Sequence, residues 1–226
     1  YTYSKCMTDN SGYYGNWSGA AIPASPYWQN LYDQKAEWGP CYYDATHVLT
    51  SYATYDIPVG RGRKFGNNMS KAADAIVGGW QVNGILSLHT GFPLSLSAGD
   101  ASGTNSRGSR PNCLAPGHVL GRQNSPLGGY QWFDGSSSIY GPADPGTFGT
   151  CGVGTIRGPG LKTLDLSVAK FFNITERQNV EFRAESINFT NTPILNAPGT
   201  GLGSTLGLLQ GAQGARQFQF ALKYHF

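Results

Sequence analysis

The last ten residues alternate without interruption: Phe218, Phe220, Leu222, Tyr224 and Phe226 stand at every second position, with Gln217, Gln219, Ala221, Lys223 and His225 between them. A period of two is that of a β-strand with two unlike faces. Residues 80–90 repeat it, with Trp80, Val82, Leu86 and Leu88 opposed to Gln81, Asn83, Ser87 and His89, and with Gly84 and Ile85 out of pattern. Residues 163–174 set Leu164, Leu166, Val168, Phe172 and Ile174 against Thr163, Asp165, Ser167 and Asn173; Lys170 and Phe171 are the exceptions. In residues 179–185, Val180, Phe182 and Ala184 oppose Glu181, Arg183 and Glu185. The phase then changes near Ser186 and brings Ile187 and Phe189 forward, which predicts a bulge. Residues 47–57 alternate less cleanly, with Leu49, Ala53, Tyr55 and Ile57 on the apolar side, and residues 1–6 read as the end of a further strand. The fold class is therefore all-β, with about six strands.

The connections between these strands alternate in length. Residues 58–79 and 175–178 are the shorter ones, while 7–40, 91–160 and 191–215 are long and rich in Gly, Ser, Asn and Pro. Structureless loops of that length are uncommon inside compact soluble domains. Short turns alternating with long loops, on strands apolar on one face and polar on the other, are the layout of an antiparallel up-and-down transmembrane β-barrel with lipid outside and water inside. Residues 1–226 are expected to form a single barrel segment, with short turns in the periplasm, long loops outside the cell and outer-membrane lipid against the apolar face. The lumen-facing polar side then carries Asp165, Glu181, Arg183, Glu185 and His89. Carboxylates beside an arginine on adjacent strands read as a ladder of cross-strand pairs in preference to a general acid and base. Six strands fall short of the roughly eight of the smallest bacterial barrels. The edges at residues 1–5 and 216–226 therefore need partners, either remaining barrel strands or another chain.

Composition narrows the class further. Of 226 residues 32 are Gly and only 13% are charged, against about 25% charged in ordinary domains, which excludes an ordinary helical enzyme domain. With 13% aromatics and a net charge of +3 the chain lacks the signature of disorder and offers nothing for nucleic acid. No apolar run approaches the length of a transmembrane helix. Four cysteines without a C-x-x-C spacing read as two disulfides formed in an oxidising compartment. Cys6 and Cys41 bracket the first long loop, and Cys113 and Cys151 close part of the second, so these are the predicted pairs.

Catalytic patterns are weak. Ser167-Val-Ala-Lys170 matches S-x-x-K, but that chemistry needs one helical turn, and these residues lie in a strand, where positions three apart point to opposite faces. S-D-N, K-T-G and G-x-S-x-G are absent, and His47, His89, His118 and His225 have no metal-ligand spacing. No catalytic residue, metal or cofactor is predicted. Gly60-Arg-Gly-Arg-Lys64 follows a strand and reads as a basic turn at a membrane surface, not a phosphate loop. Trp17, Trp28, Trp38 and Trp132, with Tyr13-Tyr14 and Tyr42-Tyr43, fall in or beside the long loops, where flat rings can stack on sugars or other flat ligands; an interfacial girdle with loop packing is the alternative.

Several segments resemble one family in order along nearly the whole chain: Tyr1-Thr-Tyr-Ser-Lys5, Glu37-Trp-Gly-Pro40, the run Asp44 to Arg63, Gly78-Gly-Trp-Gln-Val-Asn-Gly-Ile85, Thr90-Gly-Phe-Pro93, Gly146-Thr-Phe-Gly149, Arg157-Gly-Pro-Gly160, Phe182-Arg-Ala-Glu185 and Arg216-Gln-Phe-Gln-Phe-Ala-Leu-Lys223. They look like the C-terminal barrel region of Oar-like TonB-dependent outer-membrane receptor and transporter proteins. That resemblance implies a barrel of about 22 strands around a plug, often with an N-terminal carboxypeptidase-regulatory-like domain. These residues would be its C-terminal portion, supplying barrel wall and extracellular ligand-binding loops, with the energy-coupling protein acting only through N-terminal parts. Phe226, Tyr224 and Leu222 resemble the terminal signal read by the barrel assembly machinery. The rival expectation is a secreted, soluble all-β binding protein or hydrolase, a sandwich with Asp165, Glu185 or His89 in a cleft. The two separate on whether the face of Phe218, Phe220, Leu222, Tyr224 and Phe226 is covered.

Overall fold

Six strands pair in chain order: β1 (Thr2–Tyr3), β2 (His47–Asp56), β3 (Trp80–His89), β4 (Leu161–Asn173), β5 (Asn179–Ile187) and β6 (Gln217–His225). They form an open antiparallel meander with β1 and β6 at its edges. The computed structural model describes residues 1–9, 28–126, 128–175 and 178–226. These divide into two compact units: Tyr1–Val48 with His89–Leu161 and Ile194–Gln213, and Leu49–Leu88 with Lys162–Pro193 and Gly214–Phe226.

The second unit holds the long strands. β2 to β6 have 10, 10, 13, 9 and 9 residues, against the roughly 9–11 that a tilted strand needs to cross a bilayer. Residues directly opposed across a ladder share a face. One face thus carries Ser167, Glu185 and Gln219, then Ala169, Arg183 and Ala221, then Phe171, Glu181 and Lys223. The other carries Leu166, Ser186 and Phe218, then Val168, Ala184 and Phe220, then Lys170, Phe182 and Leu222, then Phe172, Val180 and Tyr224. The two exceptions in the β4 alternation are real: Phe171 lies on the polar face and Lys170 on the apolar one.

The predicted bulge near Ser186 does not form. Pairing of β5 with β6 runs in unbroken register from Asn179 opposite His225 to Ile187 opposite Gln217. The strand then ends at Asn188, whose φ is 50°. Asn tolerates the left-handed region, and its amide can replace the ladder. Here Asn188 Nδ2 donates to the Thr192 carbonyl at 2.8 Å, its Oδ1 accepts from the Thr192 N–H at 3.1 Å, and its own N–H donates to Asp165 Oδ1 at 2.7 Å. The phase change in the sequence marks an exit from the sheet.

The connection between β2 and β3 contains α1 (Lys71–Val77), started by Ser70, whose Oγ accepts from the Ala73 N–H at 3.2 Å. A capping serine ahead of Lys71-Ala-Ala-Asp-Ala-Ile-Val77 was the available signal for it.

The first unit is built largely from the long connections. Short ladders join Met7–Thr8 to Gly39–Pro40, Pro93–Leu94 to Ile156–Arg157, Asn112–Cys113 to Tyr140–Gly141, and Ile194–Leu195 to Ala212–Gln213; Tyr130–Phe133 pairs with both Val119–Asn124 and Leu208–Leu209. Leu94, Leu96, Phe133, Ile139, Tyr140, Cys151, Ile156 and Leu206 make its core, where Phe133 meets the Tyr140 ring edge-on at 6.2 Å. Chain that reads as loop thus folds into a unit with its own interior.

Candidate functional site

The polar face of the sheet converges on Glu181, which is buried. Arg183 reaches it along the same strand: Nε donates to Glu181 Oε1 at 2.8 Å, Nη2 donates to the same oxygen, and Nη1 donates to Glu185 Oε1 at 3.4 Å. From β6, His225 Nε2 lies 3.2 Å from Glu181 Oε2, and Lys223 stands directly opposite Glu181. Glu181, Arg183 and Glu185 are therefore brought together as the alternation implies, and His225 is a member that the sequence reading did not place with them. Its register depends on pairing across the 29 residues between β5 and β6, which periodicity cannot supply. Asp165 serves elsewhere, holding the Asn188 N–H. His89 has Nδ1 2.8 Å from the Thr90 carbonyl and its ring 5.1 Å from Phe92.

The opposite face is apolar and uncovered. Phe218, Phe220, Leu222, Tyr224 and Phe226 are 62%, 68%, 72%, 53% and 96% exposed. The Phe182 and Phe220 rings stack across the ladder at 6.3 Å, and Tyr224 stacks on Phe226 at 6.0 Å. A sandwich core would bury this row, whereas a contiguous exposed apolar face of this kind marks a surface made for something other than water.

In the first unit, two ion pairs join the first and second long connections, and each of these two carries a disulfide. Arg110 and Glu37 form a buried bidentate pair, with Nη1 to Oε2 at 2.7 Å and Nη2 to Oε1 at 3.2 Å. Arg110 Nε also donates to the Cys151 carbonyl at 2.8 Å, and its backbone N–H donates to Gln29 Oε1 at 2.9 Å. A Cβ on Gly149 would sit 1.8 Å from the Arg110 carbonyl oxygen, so only glycine allows this approach. Asp44 is buried and accepts from Arg157 Nη2 at 2.6 Å and from the Cys6 N–H at 2.9 Å. Burial pushes the Asp44 carboxyl up, but the Arg157 hydrogen bond and charge, together with the Cys6 N–H and Thr46, outweigh it and hold it below its ordinary value. Both predicted disulfides form, Cys6 with Cys41 at a Cα separation of 5.3 Å and Cys113 with Cys151 at 4.9 Å.

A family model described as outer membrane beta barrel domain matches residues 1–219. The chain belongs to the outer membrane beta barrel domain family. No curated protein and no solved structure matches it. Membership places this outer membrane beta barrel domain in the outer membrane. The secreted sandwich finds no support, since the face it must cover is open.

The remaining sequence-derived residues of the barrel domain separate by environment. Ser167 pairs with Glu185 on the polar face and Lys170 with Phe182 on the apolar one, so the S-x-x-K pair cannot meet. Trp28 and Trp132 are half-buried, with Nε1 donating to the Asp9 and Arg157 carbonyls, both at 2.6 Å. Trp38 is exposed, as are Tyr32 and Tyr43. Trp17 and Tyr13-Tyr14 lie outside the described residues.

Proposed function

We propose that this outer membrane beta barrel domain supplies wall strands and extracellular ligand-binding loops to a TonB-dependent, Oar-like receptor or transporter. The observation that carries the reading is the sheet itself: bilayer-length strands, an apolar face left uncovered, a charged face opposite and two unpaired edges. On this reading Glu181, Arg183, Glu185 and His225 line the lumen with Asp165 and His89 nearer its outer end, and outer-membrane lipid covers the aromatic row. Unpaired backbone groups in lipid cost several kcal/mol each, so β1 and β6 pair with remaining barrel strands or with another chain. The first unit lies outside the cell, where Trp38 presents a free ring to ligand, with Trp17, Trp28 and Trp132 as further contacts from the loops. The energy-coupling protein acts through N-terminal parts of the receptor, and the wall performs no chemistry.

The assembly machinery reads Leu222, Tyr224 and Phe226, since an aromatic-ended strand adds to a sheet edge through main-chain hydrogen bonds while alternate side chains fill a groove. The test is membrane-fraction yield in the parent receptor. Deleting Phe226, or Phe226→Asp, lowers insertion, while His225→Gln on the opposite face leaves it close to the unsubstituted level. Equal yields for the Phe226 and His225 variants refute the reading.

A further inference from the structure

The connection between β2 and β3 carries a helix whose polarity is inverted. In a helix of a water-soluble fold the charged residues face solvent and the apolar stripe faces the core. In α1 the stripe of Ala72, Ala75 and Ile76 is exposed, with Ile76 at 72%, while Asp74 turns inward. The Asp74 carboxylate accepts from the Arg61 backbone N–H at 2.8 Å, and its carbonyl accepts from the Gly78 N–H at 2.9 Å. Phe65, 55% exposed, extends the apolar surface, with the Lys64 amine 5.5 Å from its ring.

The end of α1 is fastened to the apolar face of the sheet, not to the polar one. Trp80 Nε1 donates to the Ile76 carbonyl at 3.0 Å. Lys170, on the apolar face of the β4–β5–β6 ladders, donates its amine to the Gly78 carbonyl. That amine lies 5.5 Å from the Trp80 ring centroid and 5.1 Å from that of Phe172. Lys170 is itself buried, so its amine is covered by Gly78, Trp80 and Phe172 and ties the end of α1 to the apolar side of the sheet, beside a tryptophan of the kind found at membrane–water boundaries. Beside this apolar surface stand the exposed basic side chains of Arg61, Arg63, Lys64 and Lys71.

We propose that residues 60–77 form an interfacial foot that docks on anionic phospholipid headgroups of the periplasmic leaflet, with Phe65, Ile76 and Val77 at the headgroup–acyl border and Arg61, Arg63 and Lys64 against phosphates. The proposal rests on the barrel reading and adds a lipid class to it. Apolar area and basic charge together select such a surface, and the apolar part of the foot is continuous with the lipid-facing sheet through Trp80 and Lys170.

All four cysteines are in disulfides, so one added cysteine takes an environment-sensitive NBD label without competition. The full chain is reconstituted in vesicles of phosphatidylethanolamine with phosphatidylglycerol, or with phosphatidylcholine, and labelled at Ile76→Cys or, separately, at Phe220→Cys. With phosphatidylglycerol the Ile76 probe shifts to the blue and is quenched by shallow spin-labelled lipids. Each basic residue contributes about fivefold at an anionic surface, so R61Q/R63Q/K64Q lowers the docked-to-undocked ratio by about a hundredfold, while R122Q/K162Q does not. Raising salt to about 0.5 M on the unsubstituted foot lowers it in the same direction, which covers failure of the triple variant to fold. An Ile76 probe in water beside a quenched Phe220 probe overturns the foot and leaves the barrel standing; both probes in water overturn the barrel reading. A phosphatidylglycerol dependence that survives the triple substitution, or an equal shift from inorganic phosphate in detergent, also overturns the proposal.

Discussion

Glu37→Gln tests whether one buried charge pair holds the first unit together. The Arg110 guanidinium makes four hydrogen bonds: Nη1 to Glu37 Oε2, Nη2 to Glu37 Oε1 and to the Ala36 carbonyl, and Nε to the Cys151 carbonyl. The two side chains are 5% and 3% exposed, so water cannot replace a lost partner. Breaking a buried pair from one side costs about 3–5 kcal/mol, against under about 1 kcal/mol for an exposed pair. Glu37→Gln keeps Oε1 as acceptor for the Gln29 N–H, 2.9 Å away, and should fall near the low end, about 3 kcal/mol. Arg110→Met loses all four bonds and strands a carboxylate, which puts it near about 5 kcal/mol. The double variant leaves no buried charge and should cost about 3–4 kcal/mol, well short of the sum. Native-state hydrogen exchange on the full chain reads this directly at the Gln29 and Arg110 amides and at the Cys151 N–H bonded to the Pro111 carbonyl. About 3 kcal/mol corresponds to roughly 150-fold faster exchange of these amides. Acceleration below about fivefold in Glu37→Gln, or additive effects in the double variant, would show that the pair is not what closes the unit.

Three further outcomes follow from the same unit. Replacing Cys113 and Cys151 together by serine opens a loop with a sequence separation of 38 and should destabilise by about 2–4 kcal/mol, seen as faster exchange across residues 111–151; unchanged protection there refutes it. Tyr140 is buried with no partner for its hydroxyl among the described residues, so Tyr140→Phe should slow exchange around Phe133 and Ile139 by a factor equivalent to about 1 kcal/mol, and faster exchange would refute it. Asp44 has its folded-state pKa held below the ordinary 3.8, so its contribution is fully present above the unfolded value and is lost as pH falls through the folded one; Asp44→Asn should flatten that acid limb of stability measured by denaturant titration, and an unchanged limb would exclude Asp44 as its source.

The sheet was legible from the chain because strand periodicity is a one-dimensional signal: each residue of β6 reports whether its own face is apolar or polar, and its neighbour reports the other. Even the exceptions were informative, since Lys170 and Phe171 break the alternation of β4 where the side chains do lie on the unexpected faces. The disulfides were legible because their cysteines bracket connections. Tertiary structure alone decided the first unit. Its core residues Leu94, Phe133, Ile156 and Leu206 stand in or beside ladders as short as two residues, too short for any period. Arg110 and Glu37 lie 73 positions apart, and no local pattern relates them. The same holds for His225 against Glu181, for Asn188 ending β5 where the phase change suggested a bulge, and for helix α1, whose half-buried Asp74 is defined by where Arg61 and Gly78 come to rest. Local alternation records which solvent a strand meets; which distant segments close a core is set by loop closure and packing, and those exist only once the chain has folded.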